Sequence, residues 1–294
     1  DDLREFSIEA NPGELSYGKM KDFKSIGINR LSLGVQSFNK KTLKQLTRWH
    51  NEDECVKSFN HARQAGFSNI NIDLIFGVPS QTIISWHEDL KKVIELNPEH
   101  ISAYSLTVEK KTKLHNLVKT KKVIMPDEKL DIEMFKEAIQ ILTNAKYLHY
   151  EISNYSKPKK QCLHNIRYWD RKPYFAFGPS SHGYRNLKRY WNISNIGKYI
   201  KSLESKKLPI ENTETLTKEN VFHEIIINGL RIAKGINVEF IQKNYNDETI
   251  ENLRNKISKF SNYFIETKTR LKLTDEGIMI ADELSLELMS CFSG

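Results

Sequence analysis

Six consecutive residues, His164-Asn165-Ile166-Arg167-Tyr168-Trp169, place an imidazole, a carboxamide, a phenol and an indole side by side. Such a set can bind a flat aromatic ligand, with the imidazole as an axial metal ligand and the ring side chains as walls. A plainer reading is open on the same residues, a loop whose His and Trp simply pack onto the domain. The stretch before them, Lys157-Pro158-Lys159-Lys160, is basic and loop-like. Cys162 and His182 are rival donors, because a thiolate also serves as an axial ligand.

A second set of polar residues is spread along the first part of the chain. Glu9, Gln36 and Asp73 each fall near the carboxyl end of a predicted strand, and Arg48 follows Gln36 beyond a short helix. In parallel α/β architectures ligands bind at those strand ends. Asp73, between Ile72 and Leu74, is the sharpest case, since a carboxylate in an apolar strand costs free energy to bury unless it is hydrogen-bonded. Singly, each has a structural account: alternate strand residues can point outward to the helices, and Glu9 and Arg48 can form an ion pair. Converging on one rim, the four favour a ligand with amine, hydroxyl and carboxylate groups.

The elements that must position these residues are legible from periodicity and caps. Strands are predicted at 6–10, 30–35, 70–75 and 101–106, with a further short strand starting at 150. Helices are predicted at 16–26, 40–46, 51–65, 84–96 and 127–144, with Asn39 capping the second and Asn51 with Glu54 spaced as a capping box. This alternation predicts an α/β fold of parallel strands with covering helices. Four or five such units fall short of the eight of a closed barrel, so an open, partial (β/α) barrel is expected. After about residue 212 the pattern changes to helices at 216–231, 238–243 and 249–260, a hairpin at 264–267 and 270–273, and a last helix from a Thr274 cap. That reads as a small winged-helix-like α+β domain, packing or lid-like because it lacks a concentrated basic recognition helix. The expected division is a barrel domain at 1–190, a linker at 191–212 and a C-terminal domain at 213–294.

Composition sets the outer limits. The 294 residues are 39% hydrophobic and 28% charged, as in a globular protein. No apolar run approaches the roughly 20 residues needed to span a bilayer and no signal-like segment opens the chain, so a cytoplasmic protein is expected. The net charge of +8 is spread over helix faces among Glu and Asp, which reads as solvated surface with no nucleic acid as partner. Three cysteines, Cys55, Cys162 and Cys291, are too far apart and odd in number for a disulfide framework or a Cys-x-x-Cys metal site.

Several segments in their order and spacing carry a family resemblance. Ser7-Ile8-Glu9-Ala10-Asn11-Pro12-Gly13, Arg30-Leu31-Ser32-Leu33-Gly34-Val35-Gln36-Ser37-Phe38 and Asn71-Ile72-Asp73-Leu74-Ile75-Phe76-Gly77-Val78-Pro79 resemble the radical S-adenosylmethionine proteins of the oxygen-independent coproporphyrinogen III oxidase-like group, as does Asn228-Gly229-Leu230-Arg231 further on. The resemblance implies that Glu9, Gln36, Arg48 and Asp73 contact S-adenosylmethionine, and that Gly178 lies in a loop passing near it. It also implies a 4Fe–4S cluster held by a Cys-x-x-x-Cys-x-x-Cys loop after the family's first strand. This sequence has no such motif, so the family's first two strands are expected to precede the point where the chain begins, a degenerate protein being the alternative. Within the group, His164-Asn165-x-x-Tyr168-Trp169 resembles a motif of the HemW-like haem-chaperone branch. That branch implies haem held by His164, Asn165, Tyr168 and Trp169, with His164 as iron ligand and Lys159, Lys160 and Arg167 facing either the propionates or water. It further implies client haemoproteins as partners, with room for transient contact with membrane haemoproteins. The competing expectations are the coproporphyrinogen III oxidase, which oxidatively decarboxylates propionates, and a non-catalytic remnant.

Overall fold

The computed structural model describes residues 3–294. By contact the chain divides into two units, one ending at Cys162 and the other comprising Leu163–Gly294. The first contains β1 (Ser7–Ala10), α1 (Tyr17–Ser25), β2 (Arg30–Gln36), α2 (Lys40–Gln45), α3 (Glu52–Gln64), β3 (Ile70–Phe76), α4 (Ile83–Leu96), β4 (His100–Ser105), α5 (Lys113–Lys119), α6 (Glu128–Asn144), β5 (Leu148–Glu151) and β6 (Asn154–Ser156). Its helices begin where local chemistry says they should. Ser16, Asn39 and Asp127 each accept a first-turn backbone N–H, and Asn51 with Glu54 closes a reciprocal capping box.

β1, β2, β3 and β4 are neighbours in that order and all parallel. β6 then pairs antiparallel with β4, and β5 lies on its outer side. The strand expected from 150 is therefore one arm of a hairpin and not a further βα unit. Only Ile152 and Ser153 separate β5 from β6, whereas a parallel crossover takes a dozen residues or more. The outer strands β1 and β5 do not pair with each other, so the sheet is open among the described residues.

Strand alternation gives this sheet two unlike faces. Leu31, Leu33, Ile70, Ile72, Leu74, Ile101 and Ala103 are wholly buried in one core with Met20 of α1, Phe59 of α3, Trp86 and Leu90 of α4, and Met134 and Leu142 of α6. The alternate residues Ser32, Asn71, Asp73, His100 and Ser102 carry the polar face. The helices thus cover the apolar side, and the outward-pointing account of Asp73 is replaced by its reverse.

The end of β2 needs a separate support. Its register with β3 shifts between Leu33 and Gln36, and Gln36 adopts a φ of +67°, a conformation that costs a non-glycine residue on the order of 1–3 kcal/mol. Asp89 on α4, 1% exposed, braces the next two residues: Ser37 Oγ donates to Oδ2 at 2.7 Å and the Phe38 N–H to Oδ1 at 2.6 Å. Burial pushes the Asp89 carboxyl up to about 6 from 3.8, against these hydrogen bonds, which lower it.

The second unit contains α7 (Leu163–Trp169), β7 (His182–Arg185), β8 (Lys188–Asn192), α8 (Ile196–Glu204), β9 (Ile210–Thr215), α9 (Lys218–Arg231), β10 (Ile236–Asn237), α10 (Val238–Asn244), α11 (Asp247–Lys259), β11 (Phe264–Glu266), β12 (Arg270–Leu273), α12 (Asp275–Met279) and α13 (Ala281–Met289). β7, β8 and β9 form an antiparallel sheet. Residues 191–212, expected as a linker, carry the end of β8, all of α8 and the start of β9. Their alternation was obscured because β9, Ile-Glu-Asn-Thr-Glu-Thr, is almost entirely exposed and so lacks an apolar face. The C-terminal part matches the winged-helix-like expectation, with β10 added as a third strand beside the β11–β12 hairpin. Phe222, Ile226, Leu230, Ile241, Leu253, Leu271, Leu284 and Leu288 form its core.

Two stability predictions follow from these contacts. The folded Asp89 pKa lies above its unfolded value, so the associated stability is present below about pH 4 and is lost as pH rises through about 6. Asp89→Asn should therefore gain on the wild type by about 2 kcal/mol between pH 4 and pH 7 in urea unfolding; parallel pH dependences would contradict the assignment. Gly235 has a φ of +75°, and a Cβ there would stand 2.3 Å from the Leu271 carbonyl oxygen. Gly235→Ala should destabilise the second unit by roughly 2 kcal/mol or more, read as an earlier thermal transition.

Candidate functional site

Four strands place their polar residues on one rung. Glu9 is in register with Ser32, Ser32 with Asn71, and Asn71 with His100. Hydrogen bonds run across it in one direction. The Cys162 N–H donates to the Tyr150 hydroxyl oxygen at 3.2 Å, and that hydroxyl lies 2.7 Å from His100 Nε2. His100 Nδ1 lies 2.6 Å from Asn71 Oδ1, which also accepts from Ser102 Oγ at 3.2 Å. Asn71 Nδ2 donates to Ser32 Oγ at 2.7 Å and to Asp73 Oδ1 at 2.8 Å, and Ser32 Oγ donates to Asp73 Oδ2 at 3.0 Å.

Because the Asn71 amide nitrogen is used twice as donor, its oxygen can only accept, so His100 carries its proton on Nδ1 and accepts from Tyr150 on Nε2. Burial, with the nearby Arg30 charge second, holds His100 well below its ordinary range, in keeping with a neutral ring. Every donor in the chain thus points toward the Asp73 carboxylate, which is only half-buried and keeps lone pairs for a further partner.

Gln36 and Arg48 meet around Asn11, just beyond β1. Arg48 Nη1 donates to Asn11 Oδ1 at 2.9 Å, so the alternative of a Glu9–Arg48 ion pair is not the contact Arg48 makes here. A Cβ on Gly34 would lie 3.2 Å from that same Asn11 oxygen and 2.9 Å from Gln36 Nε2. Gly34 therefore keeps open the space that the two polar groups share. Glu9, Gln36, Arg48 and Asp73 offer two carboxylates, an amide and a guanidinium, a donor set that fits a ligand bearing amine, carboxylate and ribose hydroxyls. A cleft of about 630 Å³ on the outer side, lined by Lys40, Glu52, Glu88 and Lys92, is a different feature. Its charges pair among themselves, as in Lys92–Glu52 at 2.9 Å, and mark a solvated helix surface.

No comparable fit exists for an iron–sulfur cluster. Cys55, Cys162 and Cys291 are all buried, and burial raises the Cys55 thiol to about 12. Among the described residues no group of His, Cys, Asp or Glu is arranged to hold a metal ion.

In the second unit the aromatic stretch is helical, α7, and not the packed loop of the plainer reading. His164 and Tyr168, one turn apart, meet edge to face at 4.8 Å, and Tyr168 continues edge to face onto Tyr174 at 4.4 Å. His164 is exposed, whereas Asn165, Tyr168 and Trp169 are half-buried. Trp169 turns toward α9, where the Arg231 guanidinium lies 4.9 Å from its ring. One indole face is thus already covered, and the walls expected from Tyr168 and Trp169 look in different directions. The rival donors differ in access: Cys162 is 4% exposed, while His182 is exposed and stacked on Trp191 at 5.7 Å. Arg167 is tied to the Pro173 carbonyl at 2.9 Å, and Lys160, in the first unit, to the Ser68 carbonyl at 3.2 Å.

Gly178 also stands in the second unit, with a φ of +97° and nothing within 4 Å of where a Cβ would be. Its N–H donates to Tyr199 Oη at 3.1 Å, and its carbonyl accepts from Ser181 Oγ at 2.6 Å and Asn192 Nδ2 at 3.0 Å. The open side of Gly178 is therefore its Cα, suited to close van der Waals approach. Ser32, Asn71 and His100 were missed by sequence reasoning, although polar residues at Asn71 and Asp73, and again at His100 and Ser102, signal a polar strand face.

Comparison with known proteins places the chain in a family. Residues 1–93 match the family model of the Radical SAM superfamily. The chain is 37% identical over 245 residues to the heme chaperone HemW of Bacillus subtilis, covering 83% of this chain and 64% of that protein. It is 33% identical over 290 residues to the heme chaperone HemW of Lactococcus lactis, covering 96% of this chain and 74% of that one. The chain thus spans under two thirds of the first relative and about three quarters of the second. Among solved structures, the coproporphyrinogen III oxidase HemN of Escherichia coli superposes with a TM-score of 0.80 over 98% of this chain and 70% of that one; at 20% identity this likeness speaks to the fold. No helix among the described residues is long and apolar enough to cross a membrane. The sequence relatives, with coverage of both partners, show that the chain belongs to the HemW heme chaperone family of the radical SAM superfamily.

Proposed function

We propose that this protein binds haem through the exposed face of α7 and passes it to client haemoproteins. His164 is the axial ligand in this reading, with Tyr168 beside it on the same face, while Asn165 and Trp169 would contact the ligand from farther round the helix. The observation that carries it is the presentation of His164 outward on a helix, one turn from a half-buried phenol, in a chain of the HemW family. A ligating imidazole must be reachable, and His164 is more so than Cys162. The oxidase alternative has support from the fold alone.

The same reading assigns S-adenosylmethionine to the rim of the first unit. Arg48 would pair with the ligand's carboxylate, while Asp73 and Glu9 would take its amine or ribose hydroxyls and Gln36 a remaining polar group. When bound, that molecule supplies a sulfonium and an adenosyl group. This chain's part is to hold and orient it, with Asp73 kept in place by Ser32 and Asn71. No step is assigned to a 4Fe–4S cluster, for which the described residues supply no ligands. A cytoplasmic location and haemoprotein clients belong to the proposal.

Titration with haem should produce a Soret shift that His164→Ala diminishes at least tenfold in affinity; a shift indifferent to that change would sink the haem assignment. Asp73→Asn should weaken S-adenosylmethionine binding by about 10- to 100-fold, corresponding to a charge-assisted hydrogen bond of roughly 1.5–3 kcal/mol, and should also lower the thermal transition, because the new amide leaves either Ser32 Oγ or Asn71 Nδ2 without its acceptor. Unchanged affinity in calorimetry would remove Asp73 from the site.

A further inference from the structure

We propose that a cavity in the second unit below Trp169 is the propionate pocket of the haem assigned to α7; the inference rests on that assignment. The cavity is about 340 Å³ and continues from the C-terminal end of the helix, a volume at the lower end of ligand pockets. Its walls divide by chemistry. Ile225, Ile232 and Phe240 are apolar, and Phe240 is left 43% exposed. Arg171, Lys172, Lys234 and Arg270 are cationic, against Asp170 as the single carboxylate.

The cations are unequally engaged. Arg171 is taken by Glu224, with Nε donating to Oε2 at 2.7 Å. Lys234 reaches Asp170 only at 3.8 Å and is 58% exposed. Arg270 Nη1 meets the Gly235 carbonyl at 3.4 Å, a marginal hydrogen bond that leaves most of the guanidinium fork unused. Lys172 has no ion-pair partner among the described residues. The cations on this apolar-floored pocket outnumber the one carboxylate that lines it, and a flat apolar ligand carrying two carboxylates supplies the balance.

An independent observation points to the same ligand class. The indole N–H of Trp169 is buried without a hydrogen-bond partner among the described residues, on a residue that lines this cavity. Indole nitrogen is a donor only, so an acceptor is what it needs, and a carboxylate oxygen is one. The pocket would not enclose the macrocycle; it would take its propionate edge. Arg167, a candidate for that role from sequence, is instead held by the Pro173 carbonyl.

The test compares haem with haem dimethyl ester, whose carboxylates are masked, by Soret titration of the 294-residue chain. The wild type should bind haem at least tenfold more tightly than the ester. In Lys234→Ala/Arg270→Ala this preference should vanish while the position of the Soret band, set by His164, stays put. Lys172→Glu, a change on an exposed side chain, should weaken haem and leave the ester unaffected. A His164-dependent shift with equal affinities for haem and ester, or a preference that survives the double substitution, overturns the propionate pocket and leaves the haem reading standing. Absence of any shift with either ligand overturns both.

Discussion

The first unit depends on one constraint: a sheet with a polar face must satisfy that face from its own side chains. A parallel strand covered on both sides would carry apolar residues throughout, but here every second residue of β3 and β4 is polar until their last turns. The solution is a chain of donors from the Cys162 amide through Tyr150, His100, Asn71 and Ser32 to Asp73. Each member uses its neighbour, and the half-buried carboxylate at the end keeps room for a further charged or polar partner. Removing an inner member such as Asn71 would orphan two partners at once, whereas Asp73 can exchange one contact for a ligand. Structure and binding capacity are therefore the same hydrogen-bond network seen from its two ends.

Asp89 extends this economy to the neighbouring strand. It is a carboxylate held in an apolar helix face, and burial acts against its charge. What it secures is the turn after Gln36, which has left the β2 register and adopted a positive φ. A strained residue next to a buried clamp is the pattern expected where a backbone is held for binding.

Much of the first unit was legible because its signals are local. Caps at Ser16, Asn39, Asn51 and Asp127 mark the helices, and alternating blocks mark the parallel strands. Glu9, Gln36 and Asp73 could be named from their strand-end positions, and Arg48 from its place shortly after Gln36. The partners they take could not, because Asn11 meets Arg48, and Ser32 and Asn71 meet Asp73, only once the strands are in register. The β5–β6 hairpin was missed since β6 is three residues long and entirely buried, too short to show a period. In the second unit, α7 hid behind a basic Pro-containing stretch, and the cations around Trp169 come from residues 172, 234 and 270, a convergence no spacing announces.

The central claim is that α7 presents haem for transfer, which requires the ligand to be held at an accessible edge. The most direct measurement loads the chain with haem, mixes it with increasing amounts of an apo-haemoprotein client, and follows the Soret band of the product. If the account holds, the transfer rate rises with client concentration and exceeds the rate at which haem escapes to an unrelated haem scavenger. A rate independent of client concentration and equal to that of escape would mean that haem is merely released, and would contradict the account.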